Sequence, residues 1–331
     1  MADALLPAAV AIATGFFCWF VTGALIPILR RGHMLDYPNE RSSHFTPTPR
    51  GGGIAVTGSV LLAWIALDKA GLVASSVIGV ALGAGLLAVV SWIDDVRGLS
   101  PRVRLVAQSV AVTIGILALP GARSGLAAWS GPALYLAATG LLWVWWINLF
   151  NFMDGIDGLA VSEAAAICGG LLLLAAVGDD TDPTAALLAA GIIGAAVGFL
   201  VWNWSPARIF LGDVGSVPLG YLSGYLLLDL AARGRWKMAL ILPLYFLADA
   251  TITLFRRLLS GERVWEPHRQ HFYQRALRNG LGHAAVVKRV IAADLLLIGC
   301  GWAAENGRAM LSLGAAIAIV AALLAALSAG R

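Results

Sequence analysis

Two aspartates side by side, Asp94 and Asp95, close an apolar run in the stretch Ser91-Trp-Ile-Asp-Asp-Val-Arg97. Adjacent carboxylates at the edge of an apolar segment are costly unless a cation, a donor or water compensates them. Enzymes that move phosphate use such acids as metal ligands or as bases for an attacking oxygen. Taken alone, the pair also fits simple helix termination. Further on, Asn148, Asn151, Asp154 and Asp157 stand at spacings of three among large apolar residues. On a helix, neighbours at that spacing share a face, so Asn151 with Asp154, and Asp154 with Asp157, would converge on one ligand. In Gly212-Asp213-Val-Gly-Ser216 an acid flanked by glycines opens the next apolar run. A carboxylate beside free amides at a helix start suits a metal and a diphosphate, an N-capping aspartate being the alternative.

Basic and polar donors fall in two further segments. The stretch from Asp36 to Gly53 carries Arg41, His44, Thr46, Thr48 and Arg50, ending in three glycines that let a ligand approach the backbone. A solvated basic loop is the plainer reading of that segment. A later stretch carries His268, Arg269 and His271, within one turn of each other if helical, whose donors fit a diphosphate or sugar oxygens. Two histidines are too few for a structural zinc. His33 and His283 read as ordinary interface residues, and Asp249, inside an apolar run, as a functional acid or an interhelical hydrogen-bonding group. Cys18, Cys168 and Cys300 stand singly and read as small packing residues.

These groups need a frame, and composition dictates its class. The 331 residues are 59% hydrophobic and 13% charged, far from the roughly 25% charged of soluble domains. Apolar runs at about 4–29, 52–67, 72–93, 103–119, 133–150, 158–177, 184–202, 215–231, 237–255, 287–303 and 308–328 each approach the length that spans a hydrocarbon core of about 30 Å. The expectation is an all-α polytopic membrane protein with about eleven transmembrane helices in a single domain, 1–331. The first run is too long for a cleaved signal and lacks a basic start. With the N-terminus periplasmic, all but Lys69, Arg123, Arg233, Arg235, Lys237 and Arg308 of the 23 basic residues lie at cytoplasmic ends. Every polar cluster above then faces the cytoplasm, in loops near 30–50, 94–104, 148–157, 203–214 and 256–288. The net charge of +4 follows from this asymmetry and does not suggest nucleic acid.

The ordered set Asp94-Asp95, Asn148-x-x-Asn151-x-x-Asp154-Gly-Ile-Asp157-Gly, Gly212-Asp213-x-Gly-Ser216 and His268-x-x-His271 resembles the polyprenyl-phosphate N-acetylhexosamine-1-phosphate transferases. Arg41-Ser-Ser-His-x-x-Pro-Thr-Pro-Arg50-Gly-Gly-Gly and Pro267-His-Arg-x-His-x-Tyr-Gln are similar to their O-antigen-initiating branch, and the three consecutive histidines of the peptidoglycan branch are missing. The resemblance implies a bacterial inner-membrane enzyme. It would transfer N-acetylfucosamine, N-acetylquinovosamine or N-acetylglucosamine 1-phosphate from UDP to undecaprenyl phosphate, releasing UMP. It implies Mg2+, or Mn2+, on Asp213 with Asn151 second, and Asp94 as proton acceptor supported by Asp95. Asp154 and Asp157 would lie near the uridine, with Asn148, Arg41, His44, Arg50, His268, Arg269 and His271 as the other substrate contacts. A homodimer is a further expectation. The rivals are a phospho-muramoyl-pentapeptide transferase, a secondary transporter, whose coupling acids would sit at the bilayer midplane, and a non-catalytic scaffold.

Overall fold

The computed structural model describes residues 2–38, 46–119, 131–177, 183–263 and 268–329. Arg41 and His44 lie outside these residues. The helices are α1 Ala2–Arg31, α2 Gly53–Lys69, α3 Val77–Arg97, α4 Pro101–Ala118, α5 Pro132–Phe152, α6 Leu159–Val177 and α7 Pro183–Asn203. They continue with α8 Asp213–Ala232, α9 Trp236–Ile241, α10 Leu244–Leu259, α11 Phe272–Arg278, α12 His283–Ala303 and α13 Ala309–Ala329. Among the described residues the one sheet is a two-residue antiparallel pair, β1 Leu35–Asp36 with β2 Thr48–Pro49.

Eight stretches among the described residues are long and apolar enough to cross a membrane, and the chain is a multi-pass membrane protein. Their outward residues are large and apolar, as Ile12, Phe16, Leu117 and Leu141 show. Such a surface is stable only against lipid. The last of the eight, 47 residues long, is a hairpin. Asn306 and Gly307 leave helical geometry, Gly307 at φ 84°, and the chain folds back. The Asn279 side-chain amide donates to Ser328 O at 3.0 Å, which ties the end of α11 to the end of α13.

The ninth expected helix, 237–255, is two helices. A turn at Leu242–Pro243 separates α9 from α10, because Pro243 has no N–H to continue the ladder. α2, at 17 residues, is shorter than the eight. Small residues set the closest approach in the bundle. A Cβ on Gly194 or Gly198 of α7 would strike the backbone of Ala11 or Gly15 of α1, two pairs at a spacing of four. Such small-residue seams let helices pack backbone to backbone in lipid, where no hydrophobic force distinguishes a neighbour from a tail.

Packing of α3 and α5 on α8 brings the C-terminal ends of α3 and α5 to the N-terminal end of α8. Trp143 of α5 stacks on Tyr221 of α8 at 4.8 Å, and the Tyr221 hydroxyl donates to Ala111 O of α4 at 3.0 Å. The three glycines at 51–53 perform a different task from the expected phosphate contact. Their amides donate to the carbonyls of Phe210 and Leu211, and Gly53 leaves no room for a Cβ against Gly215. They seat the start of α2 against the start of α8.

Candidate active site

The centre of the site is an arginine between two acids. Arg50 Nη2 lies 2.7 Å from Asp95 Oδ1 and 3.0 Å from Asp213 Oδ1. Burial alone would lower the Arg50 pKa, but Asp95 and Asp213 beside it hold it above its ordinary value. Asp95 also accepts from the amides of Asp213 at 3.3 Å and Val214 at 3.1 Å, so it caps α8 from outside the chain segment. A negative charge at a helix N-terminus is stabilising there. Gly212 must be glycine: φ is 73° and a Cβ would meet Asp95 Oδ2. Asp94, the expected base, is held by Arg104 Nη1 at 3.2 Å and the Leu99 amide at 2.5 Å.

The expected helical face through Asn148, Asn151, Asp154 and Asp157 is only half helical. α5 ends at Phe152, and residues 153–158 form a loop in which Gly158 takes φ 79°. The loop divides the four residues by task. Asn148 makes a reciprocal amide pair with Gln108 of α4, at 2.7 and 3.3 Å, and also donates to Val144 O. Asn151 Oδ1 accepts from the Ser216 hydroxyl at 2.6 Å, beside Asp213. Asp154 is half-buried and accepts no hydrogen bond among the described residues. Burial, then the charge of Asp213, pushes its carboxyl up to about 7. Asp157 Oδ2 meets His283 Nδ1 at 3.1 Å and accepts from the Ala207 amide at 3.2 Å. Burial would raise its pKa, but His283 and that amide outweigh it and hold the carboxyl below its usual range. His283 is therefore a site partner and not the plain interface residue expected.

The histidine segment is not helical until Phe272, so His268, Arg269 and His271 do not share a turn. A buried acid assembles it instead. Asp249 of α10, fully buried, accepts from the amides of Phe272 at 3.0 Å and Tyr273 at 3.2 Å and lies 3.1 Å from His271 Nδ1. It caps α11 and orients the His271 ring, which lies 4.9 Å from that of His268. Burial, then the neighbouring His271 and Arg257, lowers His268 to about 4, so its ring is neutral at pH 7.

Tyr273 joins the histidine segment to the loop after α5. Its hydroxyl donates to Phe152 O at 3.0 Å, and a Cβ on Gly155 would collide with that hydroxyl. Gly155→Ala is expected to push α11 away from the loop and raise the KM for the soluble donor about 10-fold or more. Steady-state kinetics on folded protein checks this. A small change in kcat alone would show that the contact does not shape the binding cleft.

That cleft has a volume of about 650 Å³ and runs between Thr46, Thr48, Gly155, Asp157, Arg269 and His283. The Arg50 cluster adjoins it through Asp154, whose neighbours include Asp213, Arg50 and Asp157. Of the expected residues, Arg50, Asp95, Asp154, Asp213 and Asn151 come together. Asp157 and Arg269 line the cleft, His268 and His271 pair beside Asp249, and Asn148 and Asp94 bind neighbouring helices and turns. Sequence reading missed Gln108, Arg104, Asn203 and Tyr273. Asn203 accepts from the Gly158 amide at 2.9 Å and donates to Ile209 O at 2.9 Å, pinning one loop to the other. An amide ending an apolar helix was the available signal.

Oxygen donors of Asp213 and Asn151 are what a magnesium ion takes, and it commonly uses one or two carboxylates plus substrate phosphates. No group of three acids or histidines among the described residues forms a ready cage. The donors therefore fit an ion that arrives with a phosphate-bearing substrate.

Comparison with known proteins agrees with the geometry. Residues 77–231 match the family described as glycosyl transferase family 4. The chain is 30% identical over 318 residues to the decaprenyl-phosphate N-acetylglucosaminephosphotransferase of Mycobacterium leprae (strain TN), covering 85% of this chain and 79% of that protein. It is 27% identical to the "Probable undecaprenyl-phosphate N-acetylglucosaminyl 1-phosphate transferase" of Bacillus subtilis (strain 168), covering 82% and 79%. It is 28% identical to the phospho-N-acetylmuramoyl-pentapeptide-transferase of Mycobacterium ulcerans (strain Agy99), covering 95% and 100%. With its motif acids drawn to one end of a membrane bundle, and with this identity across most of both chains, the protein belongs to the polyprenyl-phosphate N-acetylhexosamine-1-phosphate transferase family.

Proposed function

We propose that this protein transfers an N-acetylhexosamine 1-phosphate from its UDP-sugar to undecaprenyl phosphate, giving undecaprenyl-diphospho-sugar and UMP, on the cytoplasmic side of a bacterial inner membrane. The observation that carries the reading is the cluster of Asp95, Asp213 and Asp154 around Arg50, set at a bundle end where a lipid phosphate and a soluble nucleotide can meet. The names of the relatives favour N-acetylglucosamine as the sugar and a polyprenyl phosphate as acceptor. Initiation of O-antigen or a related surface polysaccharide is the role we infer from the Pro-Arg50-Gly-Gly-Gly and His268-Arg-x-His271 segments.

In this reading Asp213 and Asn151 would hold magnesium, which when bound would supply charge stabilisation at the transferring phosphate. Asp95 fixes the start of α8 and the Arg50 guanidinium, and Arg50 offers its remaining donors to a phosphate oxygen. The resemblance implies Asp94 as acceptor of the lipid phosphate's proton. Its oxygens are taken by Arg104 and Leu99, whereas Asp154 is unengaged and titrates near neutrality. We therefore assign the proton to Asp154 and keep Asp94 as a brace for the turn into α4. Asp157, Arg269, Thr46 and Thr48 line the nucleotide cleft, and neutral His268 with His271 contact sugar or diphosphate. We favour direct attack of the lipid phosphate oxygen on the sugar-linked phosphorus, with Asp154 taking the proton and UMP leaving, over a covalent phospho-enzyme.

The test is to incubate purified protein, undecaprenyl phosphate and magnesium with radiolabelled UDP-N-acetyl sugars and to look for labelled lipid and UMP. Product with one sugar, abolished by chelator, supports the reading; no lipid product with any sugar would sink it. Asp154 as base adds a pH signature. Its carboxylate is the active form, so kcat/KM should rise with pH through an acid limb. With a divalent cation bound nearby, that limb would lie below the value near 7 that burial and Asp213 set for the carboxyl. Asp154→Asn should remove the limb, whereas Asp94→Asn should keep it.

A further inference from the structure

Glu163 of α6 and Asp294 of α12 are the protein's least explained polar residues. Both lie within membrane-spanning helices and are buried, at 0% and 2% exposure. None of their four oxygens has a hydrogen-bond donor among the described residues. Among the described residues each carboxyl finds its interacting partner in the other, across the contact of α6 with α12. The titratable group facing them from α10 is Tyr245, and behind it stand Asp249 and Tyr273. A carboxylate at membrane depth demands a partner, and two facing carboxylates cannot both be ionised without one. The hydrogen that joins them has to belong to the pair.

We propose that Glu163 and Asp294 form a proton-holding site, in which one carboxyl keeps its proton at neutral pH and donates it to the other, clasping α6 to α12. The clasp has consequences for the cleft above it. α6 begins two residues beyond Asp157, and α12 begins with His283, which meets Asp157 at 3.1 Å. The buried pair and the Asp157–His283 contact together hold α6 to α12 at two levels, and Asp157 and His283, at the upper level, line the nucleotide cleft. Glu163 and Asp294 are positioning residues that never touch substrate.

Infrared spectroscopy of the full chain in lipid nanodiscs in D2O tests this directly. At neutral pH the wild type should show a protonated-carboxyl stretch that the Glu163→Gln/Asp294→Asn double variant lacks. Superimposable spectra would mean that both acids are ionised, which overturns the proposal. Thermal unfolding gives a second reading. From neutral to alkaline pH the wild-type midpoint should fall relative to the double variant, because the folded protein must then release a proton that the unfolded chain has already lost. The single variants Glu163→Gln and Asp294→Asn should each keep activity within about 3-fold, since an amide replaces the neutral acid. A midpoint raised by Na+ or K+ in the wild type and not in the double variant would place a metal cation there instead and overturn the proposal. Should the double variant fail to fold, the carboxyl stretch compared between wild type and each single variant decides the same question.

Discussion

Asp213→Asn is expected to lower transferase activity by about 10³-fold or more while leaving the protein folded, because it removes one charge at the transferring phosphate without moving a helix. The fold survives because α8 is capped by Asp95, not by the Asp213 side chain, and Arg50 keeps its 2.7 Å partner in Asp95. An amide of the same shape can still accept from Arg50. Mn2+ titration followed by electron paramagnetic resonance should show weaker binding in the presence of the UDP-sugar. If Asp213→Asn retained activity within a factor of ten and bound Mn2+ normally, the assignment of Asp213 to the metal would be wrong. Asp95→Asn offers the contrast. It should cost activity together with stability, since a neutral amide at that place can serve two amides and Arg50 only poorly.

Asp249→Ala should be the most damaging change away from the reacting groups. It leaves the amides of Phe272 and Tyr273 and the His271 ring without their acceptor in a buried setting. Each orphaned donor costs roughly 1–3 kcal/mol, so a loss of about 3–5 kcal/mol is expected, read as a drop in the thermal midpoint. Activity should fall about 100-fold or more, because α11 carries Tyr273 and Gln274 and its unseating removes one side of the cleft. Asp249→Asn keeps one acceptor oxygen and should recover part of the stability but little of the activity, since the His271 ring loses its anionic partner. Equal, small effects of both variants on midpoint and rate would mean that the α11 cap does not organise the histidines.

Much of the fold could be read from the chain. Continuous apolar runs with few charges can satisfy their backbone only as helices in lipid, and each of the eleven expected runs has a helix in the structure, although the ninth is broken at Leu242–Pro243 and α2 is short. The seam of Gly194 and Gly198 on α7 against Ala11 and Gly15 of α1 needed the structure, which alone supplies the partner helix. The motif acids were also legible, since carboxylates and amides embedded in apolar sequence are costly unless they have a task.

The division of labour among those residues was beyond the sequence. Local spacing gave Asn148 and Asn151 equal standing, yet the facing helix decides their use: Gln108 of α4 takes the first and Ser216 of α8 leaves the second beside Asp213. Spacing likewise gave His268, Arg269 and His271 a shared helical turn, whereas Asp249, from a different helix, caps a helix that starts only after them. The glycines at 51–53 looked like a phosphate cradle, and only the position of Phe210 and Leu211 shows where their amides go. His283 gained its importance solely from Asp157, 126 residues away in the chain. Residue type and local spacing are properties of a short segment, and they fixed the class of chemistry. Which carboxylate caps, which braces and which stays unengaged is set by long-range partners, because a buried polar group is defined by the donor or charge that packing brings to it.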